Sequence, residues 1–323
     1  MQKKTCVILD ADTVNPGDLS WDSLEKLVDL SVHTIYPSTP VEEVLSCIGD
    51  AELVLLNKIP ITADFITHTP SLKYIGVLAT GFNVVDTAAC KQAGITVTNI
   101  PAYSTMAVGQ MAMALLLEIA LHVGEHSRSV LGGDWANSKS FTYWNYPLFE
   151  LAGKTFGVYG FGRTGQATAQ MAAAFGLDVV VADSHVAGKD VPYPVLSMEQ
   201  FYQQADIISY HCPLTPETTG LVNKEAIGQM KDGVILLNTS RGGVVNEGDL
   251  AQALNSGKVR AAGVDVLSTE PPKEDNPLLS AKNIIITPHI AWAPVQCRQR
   301  LIQIAGDNLA AYLSGAPINV VNP

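Results

Sequence analysis

Short apolar runs alternate with longer helix-like segments along the whole chain, and this pattern is typical of parallel α/β architecture. The first hundred residues contain predicted strands at 6–9, 33–36, 53–56, 74–77 and 96–98. A second series of predicted strands occupies 155–159, 179–182, 207–210, 234–238, 262–265 and 284–287. The fold class is therefore predicted to be α/β, with two doubly wound parallel-sheet domains.

A glycine-rich turn separates the first strand of the second series from a helix-like run. Gly160, Gly162 and Gly165 have the spacing Gly-x-Gly-x-x-Gly, and the next predicted strand ends at Asp183. This order matches a dinucleotide-binding fingerprint, in which the glycines let the backbone approach a pyrophosphate and the acid accepts hydrogen bonds from a ribose. NAD is the predicted cofactor, because an acid at this position repels the 2′-phosphate of NADP.

Two residues of this region have a second interpretation. Asp183 could simply begin a surface turn, since glycine patterns also occur in ordinary loops. Arg163 could reach a 2′-phosphate, but it lies inside the glycine turn and is interpreted as a neighbour of the pyrophosphate.

The mid-chain position of the fingerprint indicates that a complete domain precedes it. Pro101 marks a crossing between domains, and the last helix-like run, 295–314, is predicted to return to the first domain. The predicted boundaries are 1–101 plus 290–323 for a flavodoxin-like substrate domain and 102–289 for a Rossmann NAD-binding domain. Two crossings predict a hinge with a ligand cleft between the domains.

Composition narrows the partners and the compartment. The chain has 323 residues and a formal net charge of −11, and it contains no cluster of lysine or arginine. Nucleic acid and anionic membranes are therefore not expected as partners. The five cysteines are scattered, without a CxxC pair, which argues against disulfides and a zinc site and predicts a cytoplasmic protein without a metal. The apolar stretch 106–123 carries polar residues and predicts a buried helix rather than a membrane span.

Three residues with complementary chemistry follow three successive predicted strands: Arg241, Glu270 and His289. Ligands of open α/β sheets bind at the carboxyl ends of the strands, so these side chains are expected to converge. A guanidinium can hold a carboxylate and polarise a carbonyl, and an imidazole oriented by a carboxylate can donate a proton. Each residue alone could be an ordinary loop charge or a structural histidine, but their joint placement favours catalysis.

Two further turns follow predicted strands. The turn 79–83 contains a glycine and presents backbone N–H groups that suit a substrate carboxylate. In the turn 211–213, Cys212 and Pro213 are predicted to line the nicotinamide or adenosine pocket. A nucleophilic role for Cys212 is not expected, because the sequence offers it no partner.

These motifs resemble the D-isomer-specific 2-hydroxyacid dehydrogenase family over essentially the whole chain. The resemblance rests on 160–165 with Asp183, 211–215, 238–242, 265–271 and 288–290. Within the family, the glycerate dehydrogenase (hydroxypyruvate reductase) branch is most similar, through 76–86, 101–105 and 289–292. The pair Ala291-Trp292 departs from the commoner Gly-Gly, which bears on the subclass more than on the chemistry.

The resemblance implies a role for each matching residue. Arg241 holds the carboxylate and carbonyl of the substrate, His289 is the acid/base, Glu270 is its partner, and Thr80 and Gly81 donate backbone hydrogen bonds to the carboxylate. Besides the three glycines, the implied NAD site consists of Arg163, Thr164, Asp183, Cys212, Pro213, Thr239, Ser240, Asp265 and His289. The family also implies a homodimer joined through the nucleotide domain.

The expected activity is NADH-dependent reduction of a short 2-keto acid to the D-2-hydroxy acid, with hydroxypyruvate giving D-glycerate. Two relatives by chemistry remain as alternatives, a D-lactate dehydrogenase and a glyoxylate reductase. A third alternative belongs to another class, an NAD-sensing corepressor scaffold that binds partner proteins.

Overall fold

The computed structural model describes residues 3–186 and 188–323. The strands, in chain order, are β1 Thr5–Ile8, β2 Asp29–Val32, β3 Leu53–Leu56, β4 Tyr74–Val77, β5 Thr96–Thr98, β6 Thr155–Tyr159, β7 Asp178–Ala182, β8 Ile207–Tyr210, β9 Val234–Asn238, β10 Val259–Val264 and β11 Ile284–Ile286. The α-helices are α1 Asp22–Glu25, α2 Val41–Ile48, α3 Ala63–Thr67, α4 Thr87–Gln92, α5 Thr105–Leu121, α6 Val123–Leu131, α7 Arg163–Ala174, α8 Met198–Gln204, α9 Lys224–Gln229, α10 Glu247–Ser256 and α11 Val295–Leu313.

The chain forms two compact units. Unit 1 consists of Met1–Tyr103 and Ala293–Pro323, and unit 2 consists of Ser104–Trp292. Helix α11 belongs to unit 1, where it packs against α1 and β4. The chain thus enters unit 2 once and returns once.

Unit 1 contains a five-stranded sheet in the order β2-β1-β3-β4-β5, with every neighbouring pair parallel. This is the strand order of flavodoxin-like folds. Every residue of β3 and β4 is buried, as expected for parallel strands with helices on both faces. Because β3 and β4 are central, the segments that follow them emerge at the carboxyl edge of the sheet.

The predicted position of the second strand is wrong. A strand at 33–36 was expected from the run His33-Thr34-Ile35-Tyr36, whereas β2 is Asp29–Val32 and pairs with β1 from Thr5 to Ile8. This edge strand carries only partly exposed or exposed residues, so its hydrophobic signal is weak. Residues 33 and 35 continue alongside β1 through single backbone hydrogen bonds to Ile8 and Leu9.

Unit 2 contains a six-stranded parallel sheet in the order β11-β10-β9-β8-β6-β7. An isolated parallel bridge joins Val181 of β7 to Val195, so a one-residue remnant of a further strand lies beyond β7. With that remnant, the order from β7 through β6 to β8 follows the Rossmann arrangement, in which the strand order reverses next to the first strand, here β6. The predicted pair of parallel α/β sheets is therefore confirmed.

Helix α5 packs on the unit 2 sheet, with its buried residues facing β9, β10 and α7. No single helix in the described ranges is long and apolar enough to cross a membrane. The pair α5 and α6 meets the length and composition criteria only when taken together, and the two helices are bent by 57°.

Candidate active site

The carboxyl ends of three adjacent strands of unit 2 carry the predicted catalytic residues. Arg241 follows β9, Glu270 follows β10 and His289 follows β11, and these strands are neighbours in the sheet. Parallel strands end at the same edge, so their loops emerge side by side.

The structure brings His289 and Glu270 into direct contact. His289 Nδ1 lies 2.6 Å from Glu270 Oε2, and both side chains are about one-third exposed. The second carboxylate oxygen of Glu270 accepts a hydrogen bond from the backbone N–H of Leu267 at 3.0 Å. The carboxylate is therefore oriented from its own loop, and the imidazole is held with Nε2 as its other polar atom.

A buried aspartate fixes the loop that carries His289. Asp265 is 1 % exposed. Its Oδ1 accepts hydrogen bonds from Thr287 Oγ1 at 2.5 Å and from Ile290 N at 2.9 Å, and its Oδ2 accepts one from Ala291 N at 2.8 Å. His289 itself has a φ of 54°, in the left-handed region that side chains rarely adopt. Hydrogen bonds on both sides of His289 stabilise this conformation.

The loop after β9 presents the guanidinium of Arg241. Asn238, 2 % exposed, donates from Nδ2 to Arg241 O at 3.0 Å and accepts from Ser240 N at 3.0 Å. The exposed guanidinium donates from Nη1 to Ser240 O at 2.7 Å. Its remaining N–H groups suit the planar recognition of a carboxylate.

Gly242 lets this loop pack against the next one. A Cβ at position 242 would lie 1.9 Å from the carbonyl carbon of Leu267 and 2.0 Å from its oxygen. Any side chain at 242 would therefore push the loop of Arg241 away from the loop that carries Glu270. Glu247 of α10 fixes the loop that carries Glu270. Its carboxylate accepts hydrogen bonds from Ser268 N at 2.7 Å and Asn276 Nδ2 at 2.9 Å.

The glycine turn between β6 and α7 has the form expected of a phosphate cradle. Gly160 has a φ of 88° and a Cβ there would lie 2.9 Å from Cys212 N, and a Cβ at Gly165 would lie 2.1 Å from Gly160 O. A Cβ at Gly162 would meet nothing within 4 Å in the described part of the chain. The turn is thus packed from behind and open above the start of α7, where backbone N–H groups attract anions. Arg163 and Thr164 begin that helix.

Asp183 lies directly after β7, beside the glycine turn. Its Oδ2 accepts a hydrogen bond from Phe161 N at 2.7 Å, and its Oδ1 accepts from His185 N at 2.8 Å. Partial burial acts to raise the pKa of Asp183, but the hydrogen bonds from Phe161 and His185 outweigh it and lower the pKa from its ordinary value. The group is therefore a carboxylate near neutral pH.

Buried polar groups at the ends of β8 and β9 also fit a cofactor. The hydroxyl of Thr239 is buried and has no hydrogen-bond partner among the described residues, which leaves it able to pair with a ligand. Burial raises the pKa of the Cys212 thiol to about 11, so this residue remains a neutral thiol. Together with the open turn at Gly162 and the carboxylate of Asp183, these groups fit NAD. Pro213 and Ser240 lie in the same loops.

The predicted substrate turn, Thr80 and Gly81, belongs to unit 1. It follows β4, and backbone pairing from Leu78 N to Leu56 O at 2.7 Å extends the sheet up to it. The hydroxyl of Thr80 donates to Ile100 O at 2.7 Å, so this hydroxyl is already used within unit 1. The backbone N–H groups of the turn are the donors that we expect a substrate carboxylate to use.

Sequence reasoning missed the residues that hold this site together. Asn238, Gly242 and Glu247 were not assigned individual roles, although the motif 238–242 was recognised. Their roles depend on contacts between loops that are far apart in sequence. Asp265 was assigned to the NAD site, and that assignment stays a prediction; the structure shows its carboxylate engaged with 287–291.

Comparison with known proteins agrees with this geometry. Residues 113–291 match the family model described as D-isomer specific 2-hydroxyacid dehydrogenase, NAD binding domain. A hydroxypyruvate reductase of Blautia hydrogenotrophica is 51% identical over 98% of this chain and 99% of the relative. A glycerate dehydrogenase of Methylorubrum extorquens is 40% identical over 87% of this chain and 88% of the relative.

A solved structure has the same fold from end to end. The TT0316 protein from Thermus thermophilus superposes with a TM-score of 0.87 at 34% identity, covering 98% of this chain and 99% of that one. The family model covers more than half of the chain, and the relatives align over both units. The chain therefore belongs to the D-isomer specific 2-hydroxyacid dehydrogenase family and carries that family's NAD-binding domain.

Proposed function

We propose that the chain is a hydroxypyruvate reductase that uses NADH to form D-glycerate. The observation that carries the chemistry is the 2.6 Å contact between His289 Nδ1 and Glu270 Oε2. These two residues and Arg241 follow three consecutive strands of the sheet, in the order β11, β10 and β9. The choice of substrate is supported by the 51% identical relative described as a hydroxypyruvate reductase.

The roles of the side chains follow from the needs of the reaction. Bound NADH supplies a hydride to the keto carbon of the substrate. Arg241 pairs with the carboxylate and polarises the carbonyl, since its planar fork matches carboxylate geometry. His289 donates the proton from Nε2 to the carbonyl oxygen, while the carboxylate of Glu270 stabilises the protonated ring through Nδ1. We assign the backbone N–H groups of Thr80 and Gly81 to the substrate carboxylate.

A substrate panel tests this function. Oxidation of NADH is followed with hydroxypyruvate, glyoxylate and pyruvate, and the product is resolved by a chiral assay. We expect hydroxypyruvate to have the highest kcat/KM and to give the D-isomer. A higher value for pyruvate or glyoxylate would identify a different member of the family, and no turnover of any of them would favour a binding scaffold.

We assign the cofactor site to the glycine turn, to Asp183 and to the ends of β8 and β9. NADH is preferred to NADPH in this proposal, because the ionised carboxylate of Asp183 repels a 2′-phosphate. Replacing Asp183 with Ala should lower the ratio of kcat/KM for NADH to that for NADPH by about tenfold or more, as loss of a charged interaction implies. An unchanged ratio would remove Asp183 from the ribose site.

We further propose a homodimer formed through unit 2. Residues 131–148, here termed the apolar arm, carry large side chains that are mostly exposed: Leu131 84%, Trp135 51%, Phe141 88%, Trp144 66%, Tyr146 39% and Leu148 46%. Apolar exposure on this scale is typical of a surface that binds another protein chain.

A recess in unit 2 lies beside the apolar arm, and its lining combines charged and apolar side chains. A cavity of about 660 Å³ lies between the end of α5, α6, Tyr146 and the edge strand β11. The three isoleucines of β11 are only partly buried, and an uncovered apolar edge strand favours association with another chain. In a two-fold dimer each copy contributes both the apolar arm and the edge strand, so a second copy of this chain can cover both surfaces.

We also propose that the protein is cytoplasmic. The structure contains the free cysteines Cys6, Cys47, Cys90, Cys212 and Cys297, all but Cys47 buried. Thiols that lie apart and unpaired are typical of proteins in a reducing compartment.

A further inference from the structure

Three asparagines of unit 1 form a closed set of hydrogen bonds, here termed the asparagine ring. Asn308 Nδ2 donates to Asn99 O at 2.9 Å, Asn319 Nδ2 donates to Asn308 Oδ1 at 2.7 Å, and Asn99 N donates back to Asn319 O at 3.2 Å. The three residues come from the segment after β5, from α11 and from the C-terminal segment. Asn308 is 1 % exposed.

The ring is connected to the turn that follows β4. Asn99 Nδ2 donates to Thr80 O at 2.8 Å. The neighbouring Ile100 adds two bonds, donating from N to Ala79 O at 3.0 Å and accepting from Thr80 Oγ1 at 2.7 Å. Three hydrogen bonds thus join 79–80 to 99–100, and the ring holds 99–100 against α11 and the C-terminal segment.

The asparagine ring fixes the positions of the three segments that it joins. A buried amide is costly unless its groups are hydrogen-bonded, and the ring pairs the amide oxygen and the nitrogen of Asn308 with partners from two other segments. Asn319 adopts a φ of 53° to close it, a conformation that asparagine tolerates better than most residues. Apolar residues could fill the same space, but they would not direct the carbonyl of Thr80.

We propose that Asn99, Asn308 and Asn319 are positioning residues for the turn of Thr80 and Gly81, and that they set the affinity for the carboxylate of the 2-keto acid. This inference rests on the proposed role of that turn in binding the substrate. Backbone donors bind an anion well only when they are held in place beforehand, because otherwise binding must pay for ordering them.

The test uses two ring variants, with Asn322→Ala as the matched control. Asn308→Ala breaks the ring itself, whereas Asn99→Ala keeps the backbone bonds of the ring and removes the side-chain bond that connects it to Thr80. Asn99 is partly exposed, so its variant is expected to fold even if Asn308→Ala is unstable. Asn322 lies in the same C-terminal segment and also bridges backbone groups, accepting from Val97 N at 2.9 Å and donating to Ile95 O at 2.8 Å. Ile95 precedes β5 and Val97 lies within it, and neither of these two bonds involves the turn.

The steady-state result should separate substrate binding from turnover. Both ring variants should raise KM for the 2-keto acid by about tenfold, the effect of losing roughly one hydrogen bond. The kcat should stay within about twofold and KM for NADH should not change, as for an interaction made equally in ground and transition states. The control should keep all three values. Equal effects in Asn322→Ala, or unchanged KM in the ring variants, would overturn the proposal.

Hydrogen–deuterium exchange at the amides of Thr80 and Gly81 provides a readout without substrate. Exchange there should be about tenfold faster in the ring variants and unchanged in the control, because the turn opens more easily. If the wild-type protein reduces no 2-keto acid, the proposed function is wrong, and the exchange result still decides whether the ring holds the turn. Unchanged exchange in Asn308→Ala would overturn the ring's role, and unchanged exchange in Asn99→Ala would overturn its connection to the turn through Thr80.

Discussion

His211 is a partly buried titratable group that follows the carboxyl end of β8. Its Nε2 lies 2.8 Å from Ser209 Oγ, and its Nδ1 is buried with no hydrogen-bond partner among the described residues. Burial lowers the pKa of this imidazole to about 4 from an ordinary value of 6.5. The folded protein therefore keeps the ring neutral at a pH where the unfolded chain protonates it.

This shift predicts a loss of stability in mild acid. Between pH 6.5 and about 4 the unfolded state binds one more proton at this site, so the free energy of unfolding falls as the pH is lowered through that window. The full effect is about 3 kcal/mol. Urea unfolding at several pH values measures it. Asp183 and Asp206, whose pKa values are lowered, lose their contributions only as the pH falls below the ordinary aspartate value.

Two histidine variants isolate the source of that slope. His211→Gln should flatten the dependence between pH 6.5 and 4. His68→Gln is the matched control and should leave the dependence unchanged, because this exposed side chain at the end of α3 has no charged partner among the described residues. The same slope in the wild type and in His211→Gln would show that another group is responsible.

At the scale of elements, the sequence predicted what local patterns encode. The strands 53–56, 74–77, 155–159 and 207–210 were placed correctly, because parallel strands buried on both faces are continuous apolar runs. The edge strand β2 was misplaced by four residues since it lacks such a run. The order of strands in each sheet is a tertiary property, and only the family resemblance anticipated it.

The candidate site shows the same division. Arg241, Glu270 and His289 could be found because each follows a strand and has suitable chemistry. The close packing at Gly242 and the hydrogen bonds of Asp265 to 287–291 could not be predicted from the sequence, because both are contacts between loops that are separate in the chain.

Gly242→Ala should disrupt the packing between the loop of Arg241 and the loop of Glu270. A Cβ would lie 1.9 Å from the backbone carbonyl carbon of Leu267, so the loops of Arg241 and Glu270 must separate. We expect the free energy of unfolding to fall by about 1–3 kcal/mol and kcat/KM to fall by at least about tenfold, since misplacement of catalytic groups by an ångström costs at least that. Chemical unfolding and NADH oxidation measure the two effects.

Gly228→Ala is the matched control. Gly228 lies in α9, and a Cβ there would meet nothing within 4 Å in the described ranges. Alanine should raise stability by up to about 1 kcal/mol, from its higher helix propensity, and leave activity unchanged. Equal behaviour of the two variants would mean that the packing at Gly242 is unimportant.

At the scale of the whole molecule, the proposed dimer can be tested at the apolar arm. Sedimentation velocity should give about twice the chain mass of 34.4 kDa. Phe141→Ser should shift the protein toward the monomer, because this side chain is 88% exposed in the single chain and gains burial only from a partner. Leu279→Ser, at a half-exposed leucine outside the arm, should remain dimeric. A wild-type protein of single-chain mass would contradict the proposed dimer.

The central claim is that His289 donates the proton in an NADH-dependent reduction. The most direct measurement is the single-turnover rate of NADH oxidation with hydroxypyruvate by His289→Gln, with NADH affinity measured separately. We expect a rate lower by about 10²–10⁴-fold with NADH affinity changed far less than the rate, while His68→Gln, at an exposed histidine of unit 1, keeps the wild-type rate. A near wild-type rate in His289→Gln would contradict it.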